Sequence, residues 1–168
     1  RTAHEAGVRI CENSWKVSVG RLYDIVVVSP GGYPKDIDLH QSQKAIAAAE
    51  VVTRKGGVII LVAECRDGAG KFAERLAEAN DPQEVIDAFE RQGFTPDHSS
   101  KAYMLARALK NHHVILVDPR IDRELVEAMF FRYAATLDEA LEMARGLAGD
   151  SAEALFIPHA VDCIPAVH

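Results

Sequence analysis

Apolar positions along the chain fall into two patterns. In four places β-branched and other apolar residues run together, over residues 24–29, 57–63, 113–117 and 154–157, and each run is followed by polar or turn residues. Such runs predict short buried strands. Between them, apolar residues recur with helical period over 39–52, 71–78, 82–92, 100–110, 122–129 and 137–147. A further short strand is predicted over 130–133. Strands alternating with helices imply crossover units. The expected fold is therefore α/β: one domain over residues 1–168, with a mainly parallel sheet of four or five strands and helices on both faces in a Rossmann-like three-layer arrangement. Helix punctuation agrees, since Asp81 and Pro82 offer an N-cap and a first-turn proline, Gly93 supplies the stop after Gln92, and Thr136 with Glu139 forms a capping-box pattern. Ahead of the first strand, residues 2–15 read as a leading helix that closes one edge of the domain. Trp15 is expected to pack at its end, with residues 17–21 as a connection.

Composition narrows the classes. With 48% hydrophobic and 26% charged residues, the chain has the mix of a globular domain, not of a disordered segment or a coiled coil. Nineteen Lys and Arg against 25 Asp and Glu give a net charge of -6, so no global positive field favours nucleic acid. The longest apolar runs fall far short of the roughly 20 residues that span a bilayer, which argues against a membrane protein. The N-terminus has neither an initiator Met nor a secretory pattern and reads as the start of an excised piece. Cys11, Cys65 and Cys163 are odd in number and far apart, which argues against a disulfide framework or a zinc site and for a reducing cytoplasm.

Candidate chemistry concentrates after the first strand. In a parallel sheet, ligands meet the loops beyond the carboxyl ends of strands, and Ser29-Pro30-Gly31-Gly32-Tyr33-Pro34-Lys35-Asp36 is such a loop. Its two glycines allow close approach of a ligand, and the helix that follows is expected to offer unpaired N–H groups and a positive dipole end to an anion. The spacing fits neither the dinucleotide fingerprint nor the Walker A loop. Gln41 and Lys44, three residues apart on the side of that helix away from Leu39 and Ile46, supply the amide and the cation that a 2-hydroxy carboxylate needs. Asp38 with Gln41 also fits a capping box, and Lys44 also fits a solvated surface lysine.

The stretch from Gly31 through Tyr33, Asp38, His40, Gln41 and Lys44 to Ala45 resembles the signature of the C-terminal domain of the nickel-pincer-nucleotide lactate racemases. Residues 63–70, from Ala63 to Gly70, resemble the family's loop after its second strand. Lys101-Ala102-Tyr103 with Leu105-Ala106-Arg107 resembles a later helix of one subgroup, and residues 157–165 resemble its closing segment. The resemblance implies the C-terminal domain of a two-domain racemase or epimerase. In that family a nickel pincer nucleotide takes a hydride from the α-carbon of a 2-hydroxy acid and returns it to the other face. The paired histidine bases, the lysine that attaches the cofactor and the nickel-ligating histidine belong to an N-terminal domain outside this chain. No catalytic residue is therefore expected here, and the isolated 168-residue chain is expected to be inactive. By motif position Gln41 and Lys44 match the residues that bind and orient substrate, and His40 stands where tyrosine is usual.

Other candidates have plainer alternatives. Gly31, Gly32, Tyr33, Arg66 and Asp67 are expected near the cleft or the cofactor, with a glycine-rich turn and a surface ion pair as the alternative for Arg66 and Asp67. Only the resemblance directs His98, Lys101 and Tyr103 toward the site. Cys65 beside Arg66 reads either as a thiol of lowered pKa or as a small buried residue. The seven histidines show no compact ligand pair, so no metal site is expected within the chain, and adjacent His112 and His113 mark entry into a strand. The rival function is a non-catalytic module that binds a small carboxylate or a nucleotide through residues 31–44. A second rival is a partner-docking domain in which the loop matters only for folding.

Overall fold

A computed structural model describes residues 2–93 and 99–167. The main sheet has five parallel strands: β2 (Tyr23–Val28), β3 (Thr53–Val62), β4 (His113–Val117), β5 (Arg132–Ala134) and β6 (Ala154–Ile157), standing in the order β5-β4-β3-β2-β6. Side chains alternate across it. Val26, Val28, Ile59, Leu61, Val114 and Leu116 point to one face. There they pack on α2 (Leu39–Glu50), α3 (Ala73–Ala77), α4 (Pro82–Gln92), α5 (Ser99–Asn111) and α6 (Arg123–Ala128). Ile25, Val27, Val58, Ile60, Ile115 and Val117 point to the other face, covered by Ala140 and Ala144 of α7 (Leu137–Ala148). Burial on both faces explains why the central strands read as continuous apolar runs.

Local chemistry fixes the boundaries. Asp38, Asp81 and Thr136 are extended N-caps whose side chains accept from the third residue on, in α2, α4 and α7. Strand β3 starts at Thr53, four residues before the apolar run, and passes through Gly56 and Gly57. A Cβ at Gly57 would lie 2.8 Å from the carbonyl oxygens of Asp24 and Arg54, so the chain is crowded there and only glycine fits. The predicted 130–133 strand is displaced to Arg132–Ala134, because Phe130 adopts a left-handed φ of 67° where the chain leaves α6.

Two expectations at the chain ends are corrected. Residues predicted as a connection form β1 (Lys16–Val19), which pairs in parallel with β7 (Ile164–Val167) as a separate two-stranded sheet. Strand β1 carries no apolar run, β7 is apolar but only four residues long and holds Pro165, and the two lie at opposite ends of the sequence, so no hairpin signal links them. The leading helix α1 (Thr2–Trp15) buries none of its residues, and Trp15 is 50% exposed, so the helix neither closes the domain nor packs Trp15. No helix among the described residues is long and apolar enough to cross a membrane.

Candidate functional site

Strand order places the site. The chain leaves β2 toward β3 and returns only at its end to lay β6 on the other side of β2. The carboxyl ends of β2 and β6 thus flank the point where strand order reverses, the position at which open parallel sheets accept ligands. Residues 29–38 follow β2 there, and residues 158–163 follow β6. The two segments are joined by the Ala160 amide, which donates to Ser29 O at 2.9 Å, and by an ion pair between Lys35 and Asp162. At Gly31, φ is 107° and a Cβ would fall 2.7 Å from His159 Nδ1. Glycine is required by conformation and by space alike.

The loop after β3 closes onto the same segment. The amides of Cys65 and Asp67 donate to the carbonyls of Asp36 and Ile37 at 2.9 and 2.8 Å, and the Leu39 amide donates back to Gly68 O at 3.0 Å. Arg66 lies over the Tyr33 ring, 4.5 Å from its centroid. Glu64 holds Arg66 at 3.2 Å and Arg120 at 3.0 Å, so one carboxylate links the loops after β3 and β4. Arg120 carries no motif, and its only sequence signal is position just beyond a strand's carboxyl end; His159 shares that position and lies in the 157–165 segment, but nothing there singles it out.

These contacts correct the picture of an open helix N-terminus. The Leu39 amide is taken by Gly68, and the Gln41 amide by Asp38 Oδ1 at 2.6 Å. With those two amides taken, an anion at this helix would be met chiefly by side chains. Lys44 Nζ donates to Gln41 Oε1 at 2.7 Å, which places an ammonium and an amide together on the outer face of α2, with Lys44 exposed. An ammonium has three donors and a primary amide two, so this bond leaves donors on both groups for a ligand. His40, four residues before Lys44, shares that face and leans on buried Phe72, with ring centroids 6.2 Å apart. On the opposite face Leu39 and Ile46 are fully buried, as the sequence pattern predicts.

Other expected residues separate from this cluster. Cys65 is 1% exposed, and burial pushes its thiol up to about 11, so of the two sequence readings the structure bears out the small buried residue and not the thiol of lowered pKa. Its neighbour Arg66 turns outward to Tyr33 and Glu64 and does not offset that burial. Asp67 is exposed, as is Arg66, and both stand on the rim. Tyr103 stacks on Phe89 of α4 with centroids 4.5 Å apart, and Arg107 reaches Glu50 at the last turn of α2. Those two side chains are thus engaged by α4 and by the end of α2. His98 lies outside the described residues. Asp36 Oδ1 is buried without a hydrogen-bond partner among the described residues. No group of three or more His, Cys, Asp or Glu among the described residues could hold a metal ion.

Comparison with known proteins decides the family. The lactate racemase C-terminal domain model matches residues 20–165. The chain belongs to the lactate racemase C-terminal domain family. It is 39% identical over 146 residues to the lactate racemase of Lactiplantibacillus plantarum, covering 84% of this chain and 34% of that protein. It is 40% identical over the same length to the lactate racemase of Thermoanaerobacterium thermosaccharolyticum, again covering 84% and 34%. The solved lactate racemase apoprotein of T. thermosaccharolyticum superposes with a TM-score of 0.89 at 37% identity, covering 97% of this chain and 40% of that one. A Thermotoga maritima structure at 13% identity and TM-score 0.63 shares the fold alone. The chain thus spans about a third of the length of the curated lactate racemases it matches.

Proposed function

We propose that this chain is the substrate-binding domain of a lactate racemase-like isomerase that inverts the C2 centre of a 2-hydroxy acid in the cytoplasm. The observation that carries the reading is the Lys44–Gln41 pair on the outer face of α2, at the ligand edge of the sheet. Lys44 would offset the charge of the substrate carboxylate, and Gln41 would hydrogen-bond the carboxylate or the 2-hydroxyl and fix the orientation of the C2–H bond. His40 would border the substrate's C3 substituent, its position set by the Phe72 ring. Tyr33 and Arg66 would form the cleft rim. These are positioning roles, and none of these groups breaks a bond.

In this reading a nickel pincer nucleotide, held by an N-terminal domain of the same protein, supplies the centre that accepts and returns hydride. The described residues do not fit a nickel site, lacking a cluster of metal-binding side chains, and the Cys65 thiol is held protonated by burial. What this chain contributes is a carboxylate clamp facing that domain, in a cleft of the kind that commonly forms between domains.

The test is racemisation of a panel of 2-hydroxy acids by the full-length protein, produced in a host that makes the cofactor, beside the 168-residue chain alone. Turnover of at least one acid by the full-length protein and none by the chain alone is expected. Racemisation by the chain alone would overturn the division of labour. Carboxylate binding by the chain, with no turnover by the cofactor-loaded full-length protein, would favour a binding module.

A further inference from the structure

The α1–β1–β7 region carries exposed apolar surface that the site does not use. Trp15 of α1, Val17 of β1 and Ile164 of β7, with Phe156 of the adjoining main-sheet strand β6, are each between 47% and 56% exposed. Three adjoining cavities line up across them. One of about 530 Å³ lies between Val8, Cys11 and Ile164; a second of about 290 Å³ lies between Cys11, Trp15 and Cys163; a third of about 280 Å³ lies between Val17, Phe156 and Pro165. Cys11 and Ile164 line the first two, and Cys163 lines the second and third, so the hollows adjoin in a row that makes an apolar groove along this face. Val8, Cys11 and Trp15 fall on one stripe of α1 at helical spacing.

Such a surface is unstable in water on its own account. An isolated helix of this length is marginal, and so is a two-stranded sheet. Yet the T. thermosaccharolyticum apoprotein superposes on 97% of this chain, too much to leave α1 out, although the family model begins only at residue 20. The helix keeps its place in a relative of which the matched part is only 40%. Among the described residues nothing buries the helix, so packing from the rest of that longer chain would account for its place.

We infer that the α1–β1–β7 groove is the docking face for the part of a full-length racemase polypeptide that lies outside these 168 residues, received through apolar side chains. The identity of this occupant rests on the racemase reading. The groove also borders the site. Pro158 and Cys163 line it, while in the same segment His159 presses on Gly31 and Asp162 pairs with Lys35. A docked polypeptide therefore bears directly on the turn that holds the glycine loop.

Thiol labelling tests this in the native full-length protein, with each cysteine read by peptide mass spectrometry after maleimide treatment. Cys11 is exposed in this chain and Cys65 is buried, so Cys65 reports that the domain is folded. The expected result is labelling of Cys11 at least ~100-fold slower than in the denatured protein, independent of protein concentration. In full-length Ile164→Asp, Cys11 is expected to label quickly while Cys65 stays protected. Fast labelling of Cys11 in the wild-type protein would overturn the proposal, as would protection that survives Ile164→Asp. Protection that disappears on dilution, together with a dimer-to-monomer transition in sedimentation, would assign the groove to a second copy and also overturn it. Labelling requires neither cofactor nor turnover, so a failed racemase assay leaves this result readable, and the converse holds.

Discussion

At the carboxyl edge of the main sheet, the loops after β2 and β3 satisfy one another's backbone groups, and Glu64 carries the connection on to Arg120 after β4. In the α1–β1–β7 region a whole helix buries nothing, and two four-residue strands pair only with each other. The first region is polar and meets most of its hydrogen-bonding groups from within, Asp36 Oδ1 excepted, and what it presents outward is a small set of directed donors. The second is apolar and incomplete, and what it presents is area. Hydrogen-bonded loops fix donor positions, which suits recognition of a small anion; unburied apolar area suits a larger surface.

The sharpest way to break the contrast is from beneath the site. Phe72 is fully buried and sets the place of His40. Phe72→Ala is expected to cost about 3–5 kcal/mol by denaturant unfolding. An equivalent change in the other region, Trp15→Ala at the end of α1, is expected to cost far less in the 168-residue chain, because Trp15 is half exposed. Equal losses would show that the α1–β1–β7 region is as well packed as the site.

A smaller effect is expected at the junction of the two regions. Gly31→Ala places a Cβ against His159 and holds a non-glycine residue at a φ of 107°, with an expected loss of about 1–3 kcal/mol. Adding His159→Ala should recover the steric part and leave the conformational part. Full recovery would show that backbone conformation contributes nothing, and no recovery would remove His159 from the account.

The smallest effect expected is a titration. His112 is buried and its Nδ1 lies 3.2 Å from Arg54 O. Burial depresses its pKa below the usual 6.5. The unfolded chain then binds the proton more readily, so the stabilisation is present above the unfolded value and is lost as pH falls through the folded one. His112→Gln should flatten the dependence of unfolding free energy on pH below 6.5. An unchanged slope would assign the acid sensitivity elsewhere.

These two regions also differ in how legible they are in the sequence. The central strands are buried on both faces and announce themselves as apolar runs, and α2, α4 and α7 are marked by Asp38, Asp81 and Thr136, which cap them in the structure. Strands β1 and β7 are short, largely exposed and joined across the whole chain, so neither periodicity nor turn residues reveal them. Within the site, the outward placement of Gln41 and Lys44 follows from helical spacing against Leu39 and Ile46. Their mutual hydrogen bond and the grip of Arg66 on Tyr33 do not, because both depend on how side chains and loops meet in three dimensions. Capping of α2 by Gly68 is hidden for the same reason, since it comes from a loop some thirty residues away in sequence.

Lys44→Ala in the full-length, cofactor-loaded protein tests the central claim most directly, read as kcat and KM for 2-hydroxy acid racemisation alongside the unfolding midpoint. The side chain is exposed and its hydrogen bond is to the partly exposed Gln41, so the midpoint should stay unchanged. Loss of a charge-assisted hydrogen bond to the substrate carboxylate, on the order of 1.5–3 kcal/mol, predicts a fall of roughly 10- to 100-fold in kcat/KM. Wild-type kcat/KM in that variant, with the protein folded and loaded, would contradict the assignment of this face of α2 to the substrate.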